Sequence, residues 1–147
     1  MSTRLDYAHI VPEAHRALAA LNRYLADCSL EAPLRYLVEL RVSQINGCVF
    51  CLDKHSHQAR EVGVPQQKLD CLPGWDEALF YSERERAALL WAEAVTRVSE
   101  DHVPDAVFAA VRPHFTDREL ADLTFLIANM NAWNRVAISF RKLPEAR

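Results

Sequence analysis

The sequence predicts an all-α protein, with a single domain over residues 1–147 and about seven helices. Three observations lead to this prediction. Apolar residues recur at helical spacing through almost the whole chain, no segment alternates between polar and apolar residues as a strand does, and only three glycines are present to form tight turns. Half of the residues are hydrophobic and a quarter are charged, which is sufficient for one buried core.

Capping and helix-ending residues set the predicted helix boundaries. Gly47 ends the second helix and Gly63 ends the third, because glycine is favoured just past the last turn. Ser82 and Thr116 each begin a capping box, with a glutamate three residues later, and Pro104 suits a first helical turn. The predicted helices span residues 12–26, 33–45, 48–63, 65–69, 82–98, 104–112 and 116–140.

Composition and charge argue against several classes of partner. The net charge of -3, without a cluster of lysine or arginine, argues against nucleic acid. The first residues lack the apolar run of a secretory signal, and no stretch approaches the ~20 apolar residues of a membrane span. We therefore expect a soluble, cytoplasmic protein with no membrane partner. Cys28 and Cys71 stand alone in the sequence, and we expect each to be a small buried apolar residue.

Cys48, Cys51 and His55 form the motif that carries chemistry. In a helix with about 100° per residue, the three side chains lie on one face. A thiol is a useful nucleophile only as the thiolate, and a histidine one turn beyond Cys51 supplies a base. Cys48 lies in the first turn, where the helix dipole favours an anion. This arrangement predicts a redox pair with Cys51 as the activated thiol, and the opposite assignment, with Cys48 as the attacker, stays open on geometry alone.

Zinc is the main alternative for this motif, because two cysteines with His55 and His57 provide four potential ligands. The helix phase argues against a metal site, since His57 points about 160° away from His55, and we expect His57 to be exposed. Two buried, inert cysteines are the other alternative. Glu39, on one edge of the second predicted helix, either reaches the site as a proton acceptor or histidine orienter, or is a solvated residue.

An asparagine-rich stretch at residues 129–135 lies within an otherwise apolar helix. Asparagine is a poor helix former, so hydrogen-bonding partners must hold these side chains. We expect hydrogen bonds in the interior or at an interface, with a direct role in substrate binding as the alternative.

The stretch RVSQINGCVFC at residues 41–51, followed by His55, resembles the AhpD-like alkylhydroperoxidase branch of the carboxymuconolactone decarboxylase family. The resemblance covers nearly the whole chain, through TRLDY at 3–7, FYSERERAAL at 80–89 and NAWNR at 131–135. It implies an all-helical fold and assembly into homotrimers or hexamers. It also implies thiol-dependent reduction of organic hydroperoxides, or of a partner peroxiredoxin's disulfide, with no cofactor or metal.

The resemblance further implies a role for each residue of the motif. The second cysteine of the pair is the attacking thiolate in this family and corresponds to Cys51, while the first corresponds to Cys48 and closes the disulfide. The histidine that corresponds to His55 helps to draw off the proton. The family's relay has a glutamate twelve residues before the first cysteine. This chain has Tyr36 there, and Glu39 is the nearest carboxylate that can substitute.

We therefore predict a cytoplasmic antioxidant oxidoreductase with Cys51, Cys48 and His55 as its catalytic residues. A hydroperoxide oxidises Cys51 to a sulfenic acid, Cys48 condenses with it to a disulfide, and an external dithiol or protein reductant restores both thiols. The alternatives are a redox-sensing or interaction protein without turnover, a lactone decarboxylase, which needs no redox pair, and a metal-binding module.

Overall fold

Residues 2–146 are described by the computed structural model, and they contain helices and no strand. The prediction of an all-α fold is confirmed. Among these helices, none combines the length and the apolar character that a membrane crossing requires. In chain order the α-helices are α1 (Tyr7–Ile10), α2 (Pro12–Ala26), α3 (Ala32–Asn46), α4 (Val49–Glu61), α5 (Gln66–Asp70), α6 (Glu83–Thr96), α7 (Val98–Asp101), α8 (Asp105–Val111) and α9 (Asp117–Ser139).

The seven predicted helices correspond to α2 to α6, α8 and α9. The additional helices, α1 and α7, have four residues each, which is too short for an apolar period to be visible in the sequence. The carboxylate of Asp6 caps α1 by accepting a hydrogen bond from the His9 backbone N–H at 3.3 Å. Helix α6 ends at Thr96 rather than at residue 98, because the chain continues from there into α7.

The predicted caps are present at both long helices of the second half. Ser82 and Glu85 hydrogen-bond each other's backbone N–H groups at the start of α6, and Thr116 and Glu119 do the same at α9. Gly47 ends α3 with a φ of 70°, a left-handed conformation that glycine adopts without a steric penalty.

Helix α3 lies at the centre of the fold and packs against α4, α6 and α9. Its buried residues join two hydrophobic clusters on different sides of the helix. Val38 and Val42 contribute to the cluster that includes α6 and α9, whereas Leu37 and Leu40 contribute to the cluster around α5. A helix that is apolar on most of its faces is a buried helix. This burial fixes the last turn of α3, from which α4 and the motif continue.

Arg41 lies on the α3 stripe that the sequence assigns to the core, and a partly buried carboxylate accommodates it. Its Nε donates to Glu93 Oε1 on α6 at 2.8 Å, and Trp75 Nε1 donates to the same oxygen at 2.8 Å. Burial raises the pKa of Glu93, but the hydrogen bonds from Trp75 and Arg41 outweigh it and leave that pKa lowered. A charge-assisted pair therefore links α3 to α6.

Candidate active site

The two cysteines of the motif lie at the N-terminus of α4. Gly47 turns the chain, and the Cys48 backbone N–H donates to the Ser43 carbonyl at 3.0 Å. Cys48 is the N-cap residue and Cys51 lies in the first turn. Both thiols are free and buried, and their sulfur atoms share a hydrogen bond across 2.8 Å. A disulfide can therefore form between them without a large movement of the backbone.

The hydrogen bond between the two sulfur atoms favours a single negative charge on the pair. Hydrogen bonding from the Cys51 thiol lowers the pKa of Cys48 to about 6 against the effect of burial, and the Cys51 backbone N–H, the Asn134 side chain and the charge of His55 act in the same direction. The hydrogen bond to Cys48, together with burial, raises the pKa of Cys51. The opposite directions of the two shifts favour a thiolate at Cys48 over one at Cys51.

His55 lies one turn beyond Cys51 and is buried, with an exposed fraction of 5%. Its Nδ1 lies 3.2 Å from Glu39 Oε2 on α3. The geometry of this contact is not that of a hydrogen bond, and Nδ1 has no hydrogen-bond partner among the described residues. The sequence leaves open whether Glu39 reaches the site or is a solvated residue, and this contact agrees with a place at the site. The carboxylate lies close enough to orient the imidazole ring.

Tyr36 occupies the position where the resemblance implies a relay glutamate. The centroids of the Tyr36 and His55 rings are 6.4 Å apart, and the two ring planes are inclined at 33°. The carboxylate beside His55 is therefore that of Glu39, one helical turn further along α3, and Tyr36 contributes an aromatic wall beside the imidazole.

Cys51 and His55 open onto a cavity of about 420 Å³ between α2, α3, α4 and α9. This volume lies in the range of small-molecule binding sites. Cys48 is absent from the described residues that line the cavity, so that a ligand inside it meets the sulfur of Cys51 first. The larger apolar side chains of the lining are those of Leu25, Phe50, Leu126, Met130 and Trp133.

Asn134 is a site residue that the motif does not reveal. It is fully buried on α9, its Nδ2 donates to Ser43 Oγ at 3.2 Å, and its Oδ1 accepts from Asn46 Nδ2 at 2.9 Å. Both partners lie in the last turn of α3, just before the cysteines. Hydrogen bonding by Asn134 also lowers the pKa of Cys48 and opposes the rise at Cys51. The sequence signal was the run of asparagines in an apolar helix, but only the packing of α9 on α3 distinguishes Asn134 within it.

The other asparagines of this run have partners in the interior, as the sequence predicts. Asn129 Nδ2 donates to Asn22 Oδ1 at 2.5 Å, and Asn131 Nδ2 donates to Thr96 Oγ1 at 3.1 Å. These bonds connect α9 to α2 and to α6.

The remaining histidine and cysteines of the sequence prediction lie away from the site. His57 is half-exposed and lies 3.3 Å from Glu61. Cys28 is only partly buried, against the larger hydrophobic cluster. The expectation of a buried Cys71 is wrong, because the chain around α5 packs through Leu69 and Leu72 and leaves the thiol of Cys71 exposed. Within residues 2–146, no three or more His, Cys, Asp or Glu side chains are grouped to hold a metal ion.

Comparison with known proteins gives one family and several relatives. The model of the carboxymuconolactone decarboxylase family matches residues 12–94. The uncharacterised protein YdfG of Bacillus subtilis is 38% identical over 139 residues, which is 95% of each chain. The family match at residues 12–94 includes α2, α3, α4 and the whole Cys-x-x-Cys motif.

Two solved structures superpose on nearly the whole chain. A protein of unknown function from Agrobacterium tumefaciens, named as a candidate antioxidant defence protein AhpD, is 40% identical with a TM-score of 0.97, and the match covers 99% of this chain and 100% of that one. An uncharacterised peroxidase-related protein from Ralstonia eutropha, with an alkylhydroperoxidase AhpD core, is 28% identical with a TM-score of 0.83 over 96% of this chain and 75% of that one.

Proposed function

The chain belongs to the carboxymuconolactone decarboxylase family and is AhpD-like, and from this membership and its paired thiols we propose that it is an antioxidant oxidoreductase. It reduces organic hydroperoxides, or the disulfide of a partner peroxiredoxin, through Cys51 and Cys48. The observation that carries the proposal is the pair of free sulfur atoms 2.8 Å apart, one of which lines a cavity of about 420 Å³. Lactone decarboxylation has no use for such a pair, and this favours the redox function.

Access and charge favour different sulfur atoms for the first attack. Cys48 carries the lowered pKa, whereas Cys51 faces the cavity. We assign the attack to Cys51, because the shared proton can move to Cys48 across the hydrogen bond, but Cys48 cannot reach a substrate in the cavity without passing Cys51. The low pKa of Cys48 then serves the second step, in which it must be a thiolate again.

The proposed cycle has three balanced steps. The Cys51 thiolate forms a bond to the terminal peroxide oxygen, the O–O bond breaks, and the alkoxide leaves and takes a proton to become the alcohol. The Cys48 thiolate attacks the sulfur of the Cys51 sulfenic acid, and hydroxide leaves as water after protonation. An external dithiol or protein reductant supplies two electrons by thiol–disulfide exchange and is itself oxidised to a disulfide. His55, with Glu39 beside it, lines the same cavity as Cys51 and is positioned to exchange protons there.

Thiol titration tests this proposal. One equivalent of an organic hydroperoxide should remove two of the four titratable thiols of the chain, and a dithiol donor should then support repeated turnover. The Cys71→Ser variant, which lacks only the exposed thiol outside the site, should lose the same two. Loss of two thiols without repeated turnover would indicate a redox sensor, and no loss of thiols would overturn the redox function altogether.

The Glu39→Gln variant should reduce hydroperoxide about tenfold more slowly than the wild type. Glutamine keeps the shape of the side chain but removes the charge beside His55, which weakens the contribution of that imidazole to proton transfer. Glu39 acts through His55, so we expect kcat to fall while KM stays close to its wild-type value. Steady-state kinetics with one hydroperoxide over a range of concentrations measures both.

A matched control for this variant exists on α4, the helix that carries His55. Glu61→Gln removes the carboxylate beside His57, a comparable pair on the exposed side of α4, and should leave kcat unchanged. Equal kcat values for Glu39→Gln and wild type would show that Glu39 has no role in the reaction.

We also propose a cytoplasmic location and a homo-oligomeric assembly. Free thiols persist in reducing compartments, and all four cysteines of the chain are free. The trimer or hexamer remains a prediction from the family resemblance, which sedimentation of the purified protein would test.

A further inference from the structure

The cavity beside Cys51 carries an excess of positive charge. Arg35, Lys54 and Lys142 line it, and among the described lining residues Glu39 supplies the only carboxylate. That carboxylate lies against His55, 3.2 Å from its Nδ1. Lys142 is held over the Phe50 ring, with its Nζ 4.3 Å from the ring centroid. A cavity with this balance of charge favours a ligand with a negative group.

Arg35 is the side chain best placed to bind such a group. Its Nη1 donates to the carbonyl of Leu25 in the last turn of α2, and this bond fixes the guanidinium against the cavity wall. Its Nε is buried and has no hydrogen-bond partner among the described residues. A buried donor on a cation is costly to leave unpaired, and a guanidinium matches the geometry of a carboxylate. The unpaired Nε therefore indicates an acceptor that the ligand provides.

The opposite end of the cavity holds the reactive sulfur. The chain reverses between α3 and α4 at Gly47, and the Glu39–His55 contact aligns the two helices. Arg35 lies four residues from Glu39, and Cys51 lies four residues from His55, on opposite sides of that contact. Four residues advance a helix by about 6 Å, so Arg35 and Cys51 are separated by about 12 Å along the helix axes. The cavity that both residues line also has the apolar side chains of Leu126, Met130 and Trp133 in its wall.

We propose that the substrate is an organic hydroperoxide that also carries a carboxylate, separated from the peroxide by an apolar chain of medium length, and that Arg35 binds the carboxylate. This inference rests on the proposed hydroperoxide reduction and names its substrate class. The peroxide lies at Cys51, the chain lies along the apolar wall, and the carboxylate reaches the guanidinium at the far end.

A matched pair of substrates tests the proposal. The wild type should have a kcat/KM for ω-hydroperoxyoctanoate at least about tenfold above that for ω-hydroperoxyoctanamide, which has nearly the same size and no charge. Arg35→Gln should abolish this preference, Arg35→Lys should keep part of it, and Arg60→Gln, which removes an exposed positive charge elsewhere on α4, should retain it. Equal values for the two substrates with the wild type would overturn the proposal.

A binding measurement separates this proposal from the peroxidase function itself. Calorimetry with the reduced wild type should detect tighter binding of the product ω-hydroxyoctanoate than of ω-hydroxyoctanamide, by about the same factor. This comparison needs no variant and no turnover. Selective binding of the carboxylate without reduction of either hydroperoxide would reject the peroxidase function and keep the anion site, whereas reduction of both hydroperoxides without preference would reject the anion site alone.

Discussion

Replacement of Cys51 by serine is expected to lower kcat/KM for hydroperoxide reduction by at least about a thousandfold. Cys51 is the sulfur that lines the cavity, and a serine hydroxyl in its place is not ionised at neutral pH and forms no sulfenic acid. Cys48 remains in this variant, but it is buried and absent from the cavity lining. Steady-state peroxide consumption with a dithiol donor measures the loss.

The Cys48→Ser variant distinguishes the roles of the two sulfur atoms. It should react with one equivalent of hydroperoxide and then stop, because the sulfenic acid on Cys51 has no neighbouring thiol with which to condense. Dimedone should trap that sulfenic acid, and peptide mass spectrometry should locate the adduct at Cys51. An adduct at Cys48 in the Cys51→Ser variant, with normal peroxide consumption, would reverse the assignment.

Replacement of Asn134 by leucine is expected to lower the free energy of unfolding by about 3 kcal/mol and to raise the pKa of the thiol pair. Leucine is close in size but removes the hydrogen bonds of Asn134 with the Asn46 amide and with the buried Ser43 hydroxyl, at the packed contact between α9 and α3. The hydrogen bonds from Cys51 are the main cause of the lowered pKa of Cys48, and the variant removes the further lowering that Asn134 contributes. Urea unfolding measures the first effect, and the pH dependence of alkylation by iodoacetamide measures the second.

The sign of the pH effect follows from the direction of the shift. In the wild type the alkylation rate should rise through a midpoint near pH 6, because the reactive species is the thiolate. In Asn134→Leu this midpoint should move to higher pH. Asn46→Ala removes the amide that donates to Asn134 Oδ1. This variant should be less stable than the wild type, while its midpoint stays near the wild-type value. Identical midpoints in Asn134→Leu and wild type would contradict a role of Asn134 at the thiols.

Local patterns determine most of the helices and the core of the motif. The capping boxes at Ser82 and Thr116 involve contacts over three residues, and the relation of Cys48, Cys51 and His55 depends only on the pitch of one helix. Information of this kind is contained in the order of the residues. Helices α1 and α7 escaped prediction because a single turn is too short for an apolar period.

Contacts between helices account for what the sequence could not predict. The phase of α3 placed Glu39 on one edge, but which helix would pack against that edge depends on burial along the whole of α3. Asn134 meets Ser43 across 91 residues of chain, and the cavity requires four helices to be in place. Exposure of Cys71 follows in the same way from the manner in which its neighbours pack.

The distance of 2.8 Å between the two sulfur atoms has a consequence for the durability of the protein under oxidative stress. Once Cys51 has become a sulfenic acid in the proposed cycle, Cys48 and a second peroxide molecule compete for it. Cys48 is already in contact, which corresponds to a very high effective concentration, whereas the second peroxide must diffuse into the cavity from dilute solution. Condensation should therefore win over irreversible conversion to sulfinic acid even when peroxide is abundant. If the pair is the proposed redox couple, the short distance between the sulfur atoms should also protect it from inactivation by its own substrate.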